Sequence, residues 1–405
     1  MRFFVIDDSE SIAQLVTFLL QQAGHTVGYS TSPFLALKEV PAFRPDCILL
    51  DLIMPEIDGF ELCKKFREIP GLAAAKIIIL SAKSYDFDKR RARQLGADGY
   101  IVKPIHVESF TDEVNKILTK KLTLTYWGNH GTLPVPGPGA VRYGGNTSCV
   151  SLQVEDEPLI IFDAGTGIKK LSNHLMASGV KRLTAKIFIS HPHWDHINAL
   201  PYFVPLYVQG NEIEILGPSQ GDSSSRTILS IQMDDVYFPV TIREFGASVF
   251  FHDLREESLH VGDIQIDTLL LKHPGNCLGY RATFNGKTVC HITDNELYPI
   301  ASPHYDAVFE ERLVRFIHET DILIIDTTYL DEEYPAKTGW GHSCTSEVIR
   351  IATQARVKSL HLFHHDPDQD DDAIDRKLAQ AQRGLERMDS PVVCRCPAEG
   401  DQFVL

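Results

Sequence analysis

Ser190-His191-Pro192-His193-Trp194-Asp195-His196 follows the apolar run Ile187-Phe188-Ile189 and sets four candidate metal ligands within six positions. Residues two apart on an extended segment point to the same side, so His191 and His193 can bind one ion while the following turn brings Asp195 and His196 to a second. Imidazole and carboxylate donors suit zinc first, with manganese or iron as alternatives. Three later residues also close apolar runs, as ligands carried on strand ends do: His273 after residues 269–272, Asp294 after 289–293 and His364 after 360–363. His365 competes with His364 for the last position, and His364 is preferred because the mostly alternating apolar run ends there.

The 405 residues are enough for two or three domains, each able to bury its own core. With 43% apolar and 23% charged residues the composition is that of an ordinary globular protein, and no stretch approaches the roughly twenty apolar residues of a membrane span. Residues 1–6 run directly into Asp7-Asp8, without the pattern of a signal segment, so a cytoplasmic location is expected. The eight cysteines show no Cys-x-x-Cys and no short-spaced framework, which fits reduced thiols; residues 391–396 alternate like a strand. Net charge is -15, and it is unevenly placed: 16 Lys and Arg face 16 Asp and Glu over residues 1–121, against 23 and 38 over residues 122–405. So acidic a second part repels polyphosphate backbones and disfavours broad nucleic-acid binding.

Over residues 1–121, short apolar runs at 3–6, 47–50, 77–80 and 100–102 alternate with amphipathic stretches, the pattern of a doubly wound parallel sheet. Helices are expected over 10–23, stopped by Gly24, and over 107–120. Asp7, Asp8, Asp51, Ser81 and Lys103 stand at the ends of the runs, and open α/β sheets build sites beyond the carboxyl ends of their strands. Three carboxylates, a hydroxyl and a lysine make a magnesium and phosphoryl site in which Asp51 is the nucleophile and Ser81 and Lys103 hold the phosphoryl oxygens.

With Asp51-Leu52-Ile53-Met54-Pro55, Asp58-Gly59, Ser81-Ala82-Lys83, Gly96-Ala97-Asp98-Gly99-Tyr100 and Lys103-Pro104 in place, this segment resembles the (βα)5 receiver domain of two-component response regulators. The resemblance implies that Asp51 accepts phosphate from a sensor histidine kinase in the presence of Mg2+ and that Ser81 and Tyr100 are the switch residues. No Gly, Ser or Pro linker follows. The last helix is expected to run through Lys120-Lys121 straight into residues 122–126, a join that favours mechanical coupling over a loose tether.

Residues 122–405 open with strand-like segments and tight turns. Asp163-Ala164-Gly165-Thr166-Gly167 lacks the lysine and spacing of a phosphate loop and reads as a strand end turning into a helix, with Asp163 supporting the ligand loop. Taken with the seven candidate ligands, this part resembles the metallo-β-lactamase fold, an αββα sandwich with two metals between its sheets. By resemblance His191, His193 and His273 hold the first ion, Asp195, His196 and His364 the second, and Asp294 bridges them. Flavodiiron oxidoreductases are similar but carry glutamate at the position of His193, so hydrolysis is favoured over redox chemistry.

Tyr126-Trp127-Gly128, Gly131-Thr132-Leu133-Pro134, Tyr143-Gly144-Gly145-Asn146-Thr147 and Gly341-His342-Ser343 resemble the branch containing ribonuclease Z and cyclic-phosphate phosphodiesterases. That branch implies His342 as proton donor to the leaving group, alongside Asp195 as a catalytic carboxylate. Asn129-His130 departs from the common form, in which arginine is frequent at the second position, and there is no long basic arm to grip transfer RNA. Ser223-Ser224-Ser225, within residues 218–240, is expected to mark a loop over the site. The acidic run 366–372 reads as the solvated start of a helix over 373–388.

The expectation is a response regulator whose output domain is a dinuclear hydrolase of a small or cyclic phosphate ester, tuned at Asp51, with room for a homodimer. Thioester or carboxylic-ester hydrolysis is the alternative chemistry. An adaptor with a structural metal domain is the non-catalytic alternative.

Overall fold

A computed structural model describes residues 1–405, the side chains of Asp86 and Arg90 apart. The chain divides into two compact units, Met1–Lys120 and Lys121–Leu405. In the first, strands β1 (Arg2–Ile6), β2 (Thr26–Ser30), β3 (Cys47–Asp51), β4 (Lys76–Ser81) and β5 (Gly99–Val102) alternate with helices α1 (Glu10–Gln22), α2 (Pro33–Phe43), α3 (Gly59–Arg67), α4 (Asp86–Gln94) and α5 (Phe110–Thr119). All strand pairs are parallel, in the order β2-β1-β3-β4-β5. β3 is buried along its whole length, because helices cover both faces of a doubly wound sheet. β2 is an edge strand, part exposed and interrupted by Gly28, and this is why no apolar run announces it.

The second unit is a sandwich of two seven-stranded sheets between helical layers. The first sheet, in spatial order, is β11-β10-β9-β8-β7-β6-β19, built from β6 (Thr123–Gly128), β7 (Cys149–Gln153), β8 (Leu159–Phe162), β9 (Thr184–Phe188), β10 (Glu212–Pro218), β11 (Ser248–Leu254) and β19 (Gln402–Val404). The second runs in order from β12 to β18: β12 (Ser258–Val261), β13 (Ile264–Leu270), β14 (Leu278–Phe284), β15 (Lys287–Ile292), β16 (Ile322–Asp326), β17 (Ser359–Phe363) and β18 (Val393–Arg395). Alternation along β16 shows how the layers are sorted. Ile322 and Ile324 enter the core between the sheets with Tyr126, Phe162, Phe188, Tyr280 and Phe363. Leu323 and Ile325 face outward into a core shared with α9 (Ala307–Phe316), α10 (Thr345–Gln354) and α11 (Asp371–Arg387). On the opposite side Ile161, Ile187 and Ile215 pack under α6 (Gly167–Ala177) and α8 (Ser225–Gln232). A single turn, α7 (Trp194–Ile197), follows β9.

Four expectations change. The last receiver helix starts at Phe110 and stops at Thr119, where Lys120 turns extended with φ -52° and ψ 130°, so it does not run unbroken into β6. Residues 218–240 are not all loop: the Ser224 side chain accepts from Thr227 N–H and starts α8. In the acidic run only part is solvated, since the buried Asp371 accepts from the backbone N–H groups of Val141, Arg142 and Tyr143 and Asp366 pairs with Lys337 at 2.9 Å. The helix there starts at Asp371, capped by Asp370 through Ala373 N–H. All eight cysteines are free, and no helix among the described residues is long and apolar enough to cross a membrane.

Asp98 ties the edge of the receiver sheet together, accepting from Arg67 Nη2 at 2.6 Å, Lys76 Nζ at 2.9 Å and Ile77 N at 2.8 Å. Asp98→Ala removes a shared acceptor from two cations and an amide, and should cost the first unit about 2 kcal/mol. A lowered urea midpoint for that unit is the expected reading; an unmoved midpoint would show the cluster to be energetically idle.

Candidate metal centre

At the carboxyl edge of the receiver sheet, Asp7, Asp51 and Ser81 are buried and Asp8 is exposed. Lys103 Nζ bonds to Asp7 Oδ2 at 2.8 Å and also to Asp51 Oδ1, so one cation spans both carboxylates. Burial raises the Asp51 carboxyl above its ordinary value, against the pull of Lys103. Half-buried Tyr100 donates its hydroxyl to Lys83 O at 2.8 Å. Asp7, Asp51 and Lys103 thus meet at one edge, with Ser81 at the end of the neighbouring strand β4.

In the second unit the loop after β9 carries His191 and His193, α7 carries Asp195 and His196, and the turns after β13, β15 and β17 deliver His273, Asp294 and His364. The donor atoms of His191, His193, His273 and Asp294 lie within 4.8 Å of one another, and so do those of Asp195, His196, Asp294 and His364. Asp294 belongs to both groups, one oxygen to each. Its Oδ2 lies 3.4 Å from His191 Nε2 and 3.6 Å from His273 Nε2; its Oδ1 lies 3.2 Å from His196 Nε2 and 3.0 Å from His364 Nε2. Asp195 Oδ2 sits 3.1 Å from both His196 Nε2 and His364 Nε2 and accepts from Thr132 N–H at 2.7 Å.

The far nitrogens of three of these imidazoles are fixed from behind. His196 Nδ1 is 2.8 Å from Asp163 Oδ2, whose carboxylate also takes Ser148 Oγ–H and Ser190 N–H. His273 Nδ1 is 2.9 Å from Gly341 O. His364 Nδ1 is 3.1 Å from Thr328 Oγ1, which lies 2.7 Å from Asp326 Oδ1. Such backing sets which nitrogen of each ring faces the cluster. Two glycines make room: a Cβ on Gly131 would lie 2.1 Å from His364 Cε1, and one on Gly341 would lie 2.5 Å from His273 Nδ1.

Burial opposes ionisation of Asp294, but His364, His196 and His191 outweigh it and hold the carboxyl well below the carboxylate range. Asp195 is held low in the same way by His196 and His364. Burial pushes the His191 imidazole far below its usual value. Nε2 of His191 and of His196 is buried with no hydrogen-bond partner, which is unusual for polar atoms in a core. Five imidazoles and two carboxylates, turned inward and partly unpaired, fit divalent transition metal ions.

His342 lines the same cavity, a cleft of about 520 Å³ that also contains Tyr329, Lys337 and Trp340. Its Nδ1 lies 2.8 Å from Asp326 Oδ2 and its ring stacks on His364 at 4.9 Å, so it does not cap α10, whose cap residue is Cys344. Burial lowers its pKa, but Asp326 prevails and raises it to about 9. His365 points elsewhere, 3.3 Å from Lys377 Nζ and edge-on to His130. Asp326, Thr328 and Lys377 are missing from the sequence reading. Asp326 closes the apolar run of β16 as the candidate ligands close theirs, and that signal could have found it. Lys377, fully buried, donates to Thr327 O at 2.6 Å and Thr328 O at 3.0 Å and props the loop behind His364.

The response regulator receiver domain family matches residues 3–115, and the beta-lactamase superfamily domain matches residues 159–365. A curated relative, the alkaline phosphatase synthesis transcriptional regulatory protein PhoP of Bacillus subtilis (strain 168), is 35% identical over 119 residues, 29% of this chain and 49% of that protein. The chain spans about half the length of most of the curated relatives it matches. The metallo-beta-lactamase fold protein YhfI from Bacillus subtilis aligns over 70% of this chain and 100% of its own, with a TM-score of 0.50 and 18% identity. A diphosphatase from the PhnP family aligns over 70% of this chain and 97% of its own, again with a TM-score of 0.50 and 18% identity. At such identities the two structures establish the fold, and the fold implies divalent metal binding.

Gly131→Ala should leave the sandwich folded but push the His364 ring out of place, weakening metal retention about tenfold or more. Competition with a chromogenic chelator measures this, and unchanged affinity would mean that His364 is not held by that close approach.

Proposed function

This chain belongs to the beta-lactamase superfamily and carries a receiver domain ahead of that fold, and we propose that it is a response regulator whose output is a dinuclear metal-dependent phosphodiesterase for small or cyclic phosphate esters. The observation that carries this reading is the division of Asp294 between two donor groups, one carboxylate oxygen to each. His191, His193, His273 and Asp294 would hold one ion, and Asp195, His196, His364 and Asp294 the other, with zinc the first choice for this donor set. Bound divalent ions supply Lewis acidity, which makes water a nucleophile near neutral pH and stabilises charge added at phosphorus.

The protein's own groups do the rest. Asp195, part of whose hydrogen-bonding capacity is taken by Thr132 N–H, faces the cleft and takes a proton from water. His342 presents its other nitrogen to the cleft while Asp326 fixes its orientation, as a proton donor to the departing oxygen requires. The diphosphatase that shares the fold is a neighbour whose named activity lies at phosphorus. On the receiver, a histidine kinase partner would phosphorylate Asp51, Asp7 and Asp8 are the residues that would hold Mg2+, Ser81 and Lys103 would receive the phosphoryl oxygens, and Tyr100 would respond.

Metal-loaded protein should hydrolyse bis(p-nitrophenyl) phosphate or a nucleoside cyclic phosphate and lose that activity on chelation. Asp294→Ala should abolish turnover, and His342→Ala should lower kcat about 10²- to 10⁴-fold with little change in KM. Acetyl phosphate should alter the rate of the parent protein but not that of Asp51→Asn. Turnover of thioesters with none of phosphodiesters would replace this reading with the carbonyl chemistry.

A further inference from the structure

Trp194 stands between two candidate ligands, His193 and Asp195, yet its side chain is 81% exposed and contributes nothing to the core. It lines two cavities. One is the metal cleft, and the other, of about 410 Å³, is walled by Pro192, Trp194, Ile197, Ile228, Ile231 and Tyr237. The polar wall residue Gln232 has its amide nitrogen tied to Ile197 O at 2.8 Å. Ile231 and Tyr237 are 58% and 75% exposed, so the wall is a concave apolar surface left open to solvent beside a polar site.

The wall is also preformed. Ser224 caps α8, Ser225 N–H bonds to Asp253 Oδ1 at 2.7 Å, and Leu229 is buried beneath the helix. Ile228 and Ile231, one turn apart, share the remaining face and turn it toward Trp194. The geometry points to a specificity pocket: we propose that the second ester group of the substrate, the one that does not leave, carries a flat apolar ring that lies between Trp194 and the α8 wall. The cavity is within the size range of small-molecule sites, and Trp194 lines both it and the cleft. A ring held there presents its phosphorus to the cluster. This inference rests on the phosphodiesterase reading and names its substrate class. Aryl esters and nucleoside esters share the required ring, and the test separates them.

The full-length, metal-loaded protein is given three diesters with one leaving group: the methyl, phenyl and thymidine 5′ esters of p-nitrophenyl phosphate. In each, water adds to phosphorus, the bond to p-nitrophenolate breaks, and the other ester bond stays. Both ring-bearing esters should exceed the methyl ester in kcat/KM by about tenfold or more. Whichever of the two is preferred identifies the source of the ring. Ile231→Asp, at an exposed position, and Tyr237→Ser should shrink that ratio toward one. Equal kcat/KM for all three esters, or a ratio untouched by both variants, overturns the pocket while leaving the phosphodiesterase reading standing. If no ester is hydrolysed, that reading fails, and calorimetry with phenylphosphonate and methylphosphonate still decides the pocket. About tenfold tighter binding of the phenyl compound, lost in Ile231→Asp, supports it; equal affinity overturns it. A preference unmoved by Ile231→Asp together with a changed oligomeric state also overturns it, and assigns this face to a second copy of the chain.

Discussion

The whole of the second unit is arranged around one carboxylate. Asp294 is almost completely buried, and a lone ion there would cost several kcal/mol in lost hydration. It is tolerated because four imidazoles reach it, two at each oxygen. Those imidazoles come from segments far apart in the chain, so satisfying Asp294 requires the strand ends of both sheets to be in register at one place. The core between the sheets supplies that register: Phe162 stacks on Tyr280 at 5.4 Å and Tyr280 donates its hydroxyl to Ile189 O, one residue before the ligand loop.

The same rule operates in each unit. Parallel neighbours place their carboxyl ends side by side, so residues distant in sequence arrive at a common edge. In the receiver this gathers Asp51 and Ser81 at the ends of β3 and β4. In the sandwich β8 and β9 pair in parallel and deliver Asp163 and His191, while β15, β16 and β17 pair in parallel and deliver Asp294, Asp326 and His364. The antiparallel strands bring His273 from the end of β13, and otherwise complete the two sheets.

Much of this was legible because burial and chemistry coincide in the sequence. An apolar run that stops at a polar residue marks a strand end with a polar tip, and His273, Asp294, His364 and the receiver edge were located this way, while the spacing of the motif after residues 187–189 located the other four candidate ligands. The supporting groups were less visible. Asp326 closes such a run too, but its importance lies in the bond to His342, 16 residues on, and only folding creates that pairing. Lys377 reads as one more charge on an amphipathic helix, whereas it is buried against two backbone carbonyls. The helix α8 was hidden by its serines, which look like loop composition until Ser224 is seen as a cap. The early stop of α5 reflects backbone conformation at Lys120, which no side-chain pattern records.

The centre also carries strain that its surroundings must hold. Asp163, Asp294 and His364 all have left-handed backbones, with φ of 61°, 40° and 60°, at a cost of about 1–2 kcal/mol each for residues with a Cβ. Each is locked by hydrogen bonds or by close neighbours, and Gly131 has no Cβ because the His364 ring occupies that space. A site held so tightly has little freedom to vary. The wall formed by α8 and Tyr237 meets the ligand loop through the exposed faces of Pro192 and Trp194 and supplies no candidate ligand, so its residues can change without disturbing the cluster. The fold therefore separates two demands, a centre fixed by burial and strain and an apolar wall beside it that is free to vary.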